Sequence, residues 1–128
     1  MKSLKYLFTI ALIALLLAGC KYDFILPEEV PIIDPEDPNA EQISFSSAIV
    51  PIFESKCVAC HTTGKQLPDL SAANAFSSVN STRYISSTAE ESLIYTRPHP
   101  DNTDSHPKYS ATEAVLVLGW IQQGAKNN

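Results

Sequence analysis

Apolar residues recur at helical spacing in several short stretches after residue 43, and no segment alternates apolar and polar positions as a half-buried strand does. The last stretch is the clearest. Ala114, Val117, Leu118 and Ile121 follow i, i+3, i+4, i+7, and Ser110-Ala111-Thr112-Glu113 in front of them is a capping box. Gly124 stands where a left-handed helix end belongs. The first stretch, with Ile49, Ile52 and Phe53 on one stripe, predicts a helix that starts near Ser46 or Ser47 and runs to Lys56. Pro51 then falls in the opening turn, where its missing N–H costs little. Between these, Ser71 is expected to cap a short helix through Ala75, Phe76 and Val79. A second capping box, Thr88-Ala89-Glu90-Glu91, is expected to open a helix carrying Leu93 and Ile94 that Pro98 and Pro100 end. Residues 97–109 read as a polar, proline-rich loop. The prediction is an all-α domain over residues 43–128.

The N-terminal part does not belong to that domain. Lys2 and Lys5 precede a predominantly apolar run from Leu7 to Ala18, too short to span a bilayer comfortably and of the length of a signal-peptide core. It ends in Leu17-Ala18-Gly19-Cys20, which resembles the bacterial lipobox. That resemblance implies removal of residues 1–19, acylation of Cys20 and lipid anchorage of an exported chain at the cell envelope, on the periplasmic face or at the outer membrane. Losing Lys2 and Lys5 takes the formal charge from −5 to −7. Most of that charge lies in residues 21–42, where Asp23, Glu28, Glu29, Asp34, Glu36, Asp37 and Glu41 face Lys21 alone. With Pro27, Pro31, Pro35 and Pro38 excluding a helix, residues 20–42 read as a lipidated cysteine and an extended, largely disordered tether. Such a tether reaches roughly 25 Å as a flexible coil. The remainder is close to neutral, and nothing in it forms the basic face that nucleic acid requires.

The chemistry concentrates in Cys57-Val58-Ala59-Cys60-His61. Two thiols three residues apart with a histidine directly after the second form the attachment signature of c-type haem. Each thiol can add across one porphyrin vinyl, and the adjacent imidazole then lies under the iron as an axial ligand. Two other readings use the same residues. A thioredoxin-like dithiol would sit at a strand end in a βαβ pattern, which is missing here. A zinc site could combine Cys57 and Cys60 with two of the three histidines. With Cys20 acylated and the other two cysteines bonded to haem, no thiol is left over.

From Ile49 onward the chain resembles the small single-haem cytochrome c domains of exported lipoproteins in Bacteroidetes-type bacteria. The residues that carry the resemblance are Val50-Pro51-Ile52-Phe53 leading into the cysteine motif, Pro68-Asp69-Leu70, Ser92-Leu93-Ile94-Tyr95, and the closing Trp120-Ile121-Gln122-Gln123-Gly124-Ala125. It implies a cytochrome c-like helical fold, one covalent haem c and one-electron transfer. It further implies that a carbonyl near Leu67 or Pro68 accepts the proton of His61. Along the chain, Leu93, Ile94 and Tyr95 or Tyr84 are expected to pack against the porphyrin or the core, and Trp120, which flanks the last stripe, to cover the haem edge. One departure stands out. Such domains commonly supply a methionine as the second axial ligand, and the only methionine here is Met1. His106, followed by Pro107, and His99, followed by Pro100, are the alternatives, with His106 favoured because it lies nearer the final helix. An open sixth position is the third reading. A bis-histidine site predicts a potential below that of a histidine–methionine cytochrome.

No paired carboxylates, nucleophile signature or phosphate loop suggests an enzyme. The expectation is therefore a membrane-anchored electron carrier serving an exported redox partner. A haem-based sensor with an open site and a zinc-stabilised interaction module are the alternatives.

Overall fold

The computed structural model describes residues 33, 34, 37 and 40–128. The leader read over residues 1–19, Cys20 and most of the tether lie outside these. Every regular element among the described residues is helical. None is long and apolar enough to cross a membrane.

The chain enters through a π-helical turn, Phe45–Ile49, that runs directly into α1, Val50–Lys56. The cap is Ser44, whose hydroxyl accepts from the Ser47 N–H, rather than Ser46 or Ser47. Pro51 lies in the first turn of α1, as its missing donor demands. The wider π turn lets both Phe45 and Ile49 reach the core, where they are 2% and 0% exposed.

The middle helices are shorter than their sequence signals suggest. α2 spans Ala75–Val79, and its N-terminal residue Asn74 provides no side-chain cap. Ser71 does not cap it either, because its hydroxyl donates to Asp69 Oδ1 at 2.6 Å. Thr88 forms no capping box: Ala89–Glu91 is a single 3₁₀ turn, separated from α3, Leu93–Thr96, by the extended Ser92. The reason lies in Ser92, which is fully buried and accepts the Ser86 N–H at 3.0 Å. That bond ties the loop before the turn to the core, and the helix restarts only after it.

α4, Ala111–Gln122, behaves as expected, with both halves of the Ser110–Glu113 capping box formed. Gly124 has φ +94°, a conformation natural only to glycine. The buried stripe differs in one member. Ala114, Val117 and Ile121 face inward, but Trp120 is buried in place of Leu118, which is only partly covered. Trp120 lies 5.1 Å from the Phe45 ring and donates from Nε1 to the Lys126 carbonyl. It belongs to the core and not to the cleft described below. Around Phe45, Phe53 and Phe76 also meet it edge-on, at 6.3 and 5.3 Å between centroids.

Both ends of the folded part meet. Phe45 N–H donates to the Asn128 side-chain oxygen, and Ser46 N–H and the Ser44 hydroxyl donate to the Asn128 carbonyl. The first residue of the domain and the end of the tether are engaged as well. Ile43 N–H donates to Gln123 Oε1, and Gln123 Nε2 donates to the Glu41 carbonyl. Ile43 and Ile33 approach α4 at Gly119, where a methyl group would stand 2.7 and 3.0 Å from their side chains.

Candidate functional site

α1 delivers the chain into the cysteine motif without a break. Cys57 N–H and Val58 N–H both donate to the Phe53 carbonyl, and the His61 N–H donates to the Cys57 carbonyl at 2.9 Å. That last bond is a helical turn's worth of chain, so Cys57 and His61 fall on one side. Lys65 Nζ closes the loop by donating to the Ala59 carbonyl.

The motif lines a cleft of about 390 Å³. The cleft is lined by Cys57, Ala59, Cys60 and His61, by Leu67, Pro68 and Leu70, and by Leu93, Ile94, Pro98, His106 and Pro107. Tyr84 lines it too, whereas Tyr95 and Trp120 do not. Among the described residues the exposed large hydrophobics are Leu67 and Leu93, 74% and 39% exposed, and both face this cleft. Apolar surface of this kind marks a place where something apolar binds. The lining includes Lys56 and Arg97 but no carboxylate, which suits an apolar ligand with anionic substituents.

Two histidines meet across the cleft. The rings of His61 and His106 lie 6.5 Å apart between centroids, and their planes differ by 24°. Each has its Nδ1 engaged. His61 Nδ1 lies 3.2 Å from the Pro68 carbonyl, the partner expected for it. His106 Nδ1 lies 3.2 Å from Asp104 Oδ2. A carbonyl only accepts, so His61 carries its hydrogen on Nδ1 and its neutral form leaves Nε2 with a free lone pair; the carboxylate against His106 Nδ1 is an ion-pair contact that favours the same tautomer. Metal–imidazole bonds of about 2 Å, the length found for zinc, together with the ring half-widths, fill the observed separation. The residues therefore fit a metal held between two imidazoles, with two thiols beside it.

His99 is not brought to the cleft. Its ring meets the Tyr95 edge at 5.0 Å, and its Nδ1 accepts the Asp101 N–H. A tetrahedral zinc site would need Cys57 and Cys60 to converge with two histidines. Among the described residues no three His, Cys, Asp or Glu side chains form such a group. The Cys57 thiol is pushed up to about 11, mainly by burial, with Glu113 adding to the effect and Lys56 opposing it. It is thus a thiol rather than a thiolate at neutral pH, unlike the activated cysteine of a dithiol oxidoreductase.

Two loops hold the histidines. The Pro68 carbonyl is fixed by its neighbour Asp69, which accepts from Thr63 and Asn74 on Oδ2 and from the Ser71 amide and hydroxyl on Oδ1. On the far side Tyr109 anchors the loop of residues 97–109: its N–H donates to the Pro98 carbonyl and its buried hydroxyl to the Ile94 carbonyl. Sequence reasoning missed Asp69 and Asp104 as organisers, since an isolated aspartate in a polar loop carries no spacing signal.

The Asp69 network makes a pH prediction. Hydrogen bonds, first from the Ser71 hydroxyl and then from Thr63, lower its carboxyl from 3.8 to about 2. A group whose folded pKa is depressed stabilises fully above its unfolded value, and that contribution disappears as pH falls through the folded one. Urea midpoints are therefore expected to fall between pH 4 and pH 2, and the Asp69→Asn variant should show a shallower fall there. Equal slopes for the two proteins would contradict this.

Comparison with family models, with curated proteins and with solved structures returns no match. The functional reading rests on the residues themselves.

Proposed function

We propose that the chain is a c-type cytochrome: a one-electron carrier with one covalent haem c, exported and lipid-anchored through Cys20, that serves an exported redox partner. The observation that carries this reading is the single cleft on which Cys57, Cys60, His61 and His106 converge, with the two imidazoles 6.5 Å apart. A cytochrome c-like fold is part of the proposal.

Cys57 and Cys60 would hold the cofactor. Each S–H would add across one vinyl, forming a C–S and a C–H bond at the expense of the S–H and the C=C π bond, with no leaving group. His61, oriented through Nδ1 by the Pro68 carbonyl, would hold the iron, and His106 would be its second imidazole. The bound haem supplies an iron that gains and loses one electron. Leu67, Leu70, Leu93 and Ile94 would surround it with apolar surface; Lys56 and Arg97 also line the cleft, paired with Glu113 and Asp104.

The test is a spectrum of protein matured with haem-attachment machinery. An alkaline pyridine spectrum of thioether-linked haem and a six-coordinate, low-spin iron that ignores carbon monoxide are expected. His106→Ala should give an iron that binds carbon monoxide, whereas His99→Ala should leave the spectrum unchanged. Protein without covalent tetrapyrrole would remove the proposal. A sensor with an exchangeable sixth position is the second reading, favoured by the 42% exposure of the His106 side chain. Carbon monoxide binding by the unaltered protein would select it.

A further inference from the structure

The two histidines are held by unlike partners. His61 Nδ1 faces an uncharged carbonyl, and His106 Nδ1 faces the carboxylate of Asp104. Asp104 does more than touch the ring. Its Oδ1 accepts the His106 backbone N–H at 3.1 Å while Oδ2 lies 3.2 Å from the ring nitrogen, so one side chain holds the main chain and meets the imidazole of the same residue. Lys108 Nζ donates to Oδ1 at 2.5 Å and Arg97 donates to Oδ2 at 3.4 Å. Asn102 Oδ1 accepts the Asp104 N–H at 2.9 Å, and Lys108 Nζ also reaches the Arg97 carbonyl. The aspartate is thus a hub for the loop, and the Lys108 hydrogen bond holds its carboxyl well below the usual carboxylate range.

On the reading proposed above, we infer that Asp104 is the positioning residue of the distal ligand, turning His106 Nε2 to the iron and making the ring a stronger donor to ferric than to ferrous iron. The chemistry is general. A carboxylate behind a metal-bound imidazole raises its basicity and fixes its orientation, more strongly than an uncharged carbonyl does. Ferric iron carries the greater charge, so it gains more from a basic ligand, and the potential falls. Two cations keep the carboxylate from swinging away: Lys108 holds Oδ1, and Arg97 shares Oδ2 with the ring.

A purely structural role for Asp104 makes a different prediction, so the variants must separate charge from scaffold. Asp104→Asn keeps the shape and an acceptor oxygen but removes the charge. Losing such an outer partner typically weakens a metal bond about 10–100-fold. If the ferric bond alone weakens about tenfold, the midpoint potential rises by about 59 mV for one electron. The spectrum should stay six-coordinate. Lys108→Met loosens the loop while leaving the carboxylate on His106, and is expected to lower stability without raising the potential. Asp104→Glu retains the charge and should keep a potential nearer the wild type than to the Asn variant.

Each outcome decides something. A higher potential in Asp104→Asn alone supports the assignment. An unchanged potential in that variant, or an equal rise in Lys108→Met or Asp104→Glu, overturns it. A wild-type haem without bis-imidazole ligation takes down the functional reading and this inference together, whereas failure in a bis-imidazole protein takes down this inference alone.

Discussion

Replacing Cys57 and Cys60 together by alanine is expected to abolish cooperative folding of the helical part. The four helices have 7, 5, 4 and 12 residues, at or below the roughly 12–15 needed for an isolated helix to hold in water. They must therefore be stabilised by packing. Much of what α1, α3 and the two histidine loops would pack against is the cleft of about 390 Å³. Leu67 and Leu93 lie exposed on its walls. The sulfur atoms themselves account for little, since burying a side chain of this size contributes about 1 kcal/mol. On the proposed function, the large effect belongs to the cofactor that they would tie in. Wild-type chain produced without haem-attachment machinery should behave the same way, which separates loss of haem from loss of sulfur. Thermal melts followed by circular dichroism make the comparison. A sharp, native-like melt for either haem-free protein would show that the helices cohere without it.

Trp120→Ala is expected to cost about 3–5 kcal/mol, a large share of the roughly 5–15 kcal/mol that holds a small domain together. Trp120 is 1% exposed, packs on Phe45 and donates to the Lys126 carbonyl. Its removal opens a cavity between the first turn and α4 and frees the C-terminal segment at once. Trp120→Phe retains most of the volume and loses chiefly the hydrogen bond, worth about 1 kcal/mol. Because Trp120 is remote from the cleft lining, the haem spectrum of the folded Phe variant should match the wild type. Urea unfolding supplies the first comparison and absorbance the second. A shifted spectrum in Trp120→Phe would return this residue to the haem edge.

The two regions differ in how far the sequence announced them. α4 was legible because its signals are local: Ser110 and Glu113 cap each other, and Gly124 ends the helix by its own conformational freedom. The cysteine motif was legible for the same reason, as five consecutive residues. The Thr88 capping pattern misled, because a capping box competes with whatever the rest of the fold asks of the segment. Here the buried Ser92 and its bond from Ser86 prevailed. Trp120 misled differently. Helical spacing places it beside the stripe, but only the return of the tail from Gly124 to Asn128 supplies the carbonyl that its ring nitrogen needs. Choosing His106 over His99 depended on how a loop of residues 97–109 folds back at Tyr109, a contact that no local pattern encodes. The tether, read as extended and largely disordered, meets the end of α4 through the Glu41 carbonyl and lays Ile33 near Gly119.

The meeting of Ser44 with Asn128 gives the molecule a stem and a mouth. The stem is where the acidic tether joins the helices, at the start of the first turn. The mouth is lined from Lys56 and Cys57 onward, at the far end of the π turn and α1. A domain held through the lipid anchor proposed at Cys20 would carry that opening one helical segment away from the point of mooring.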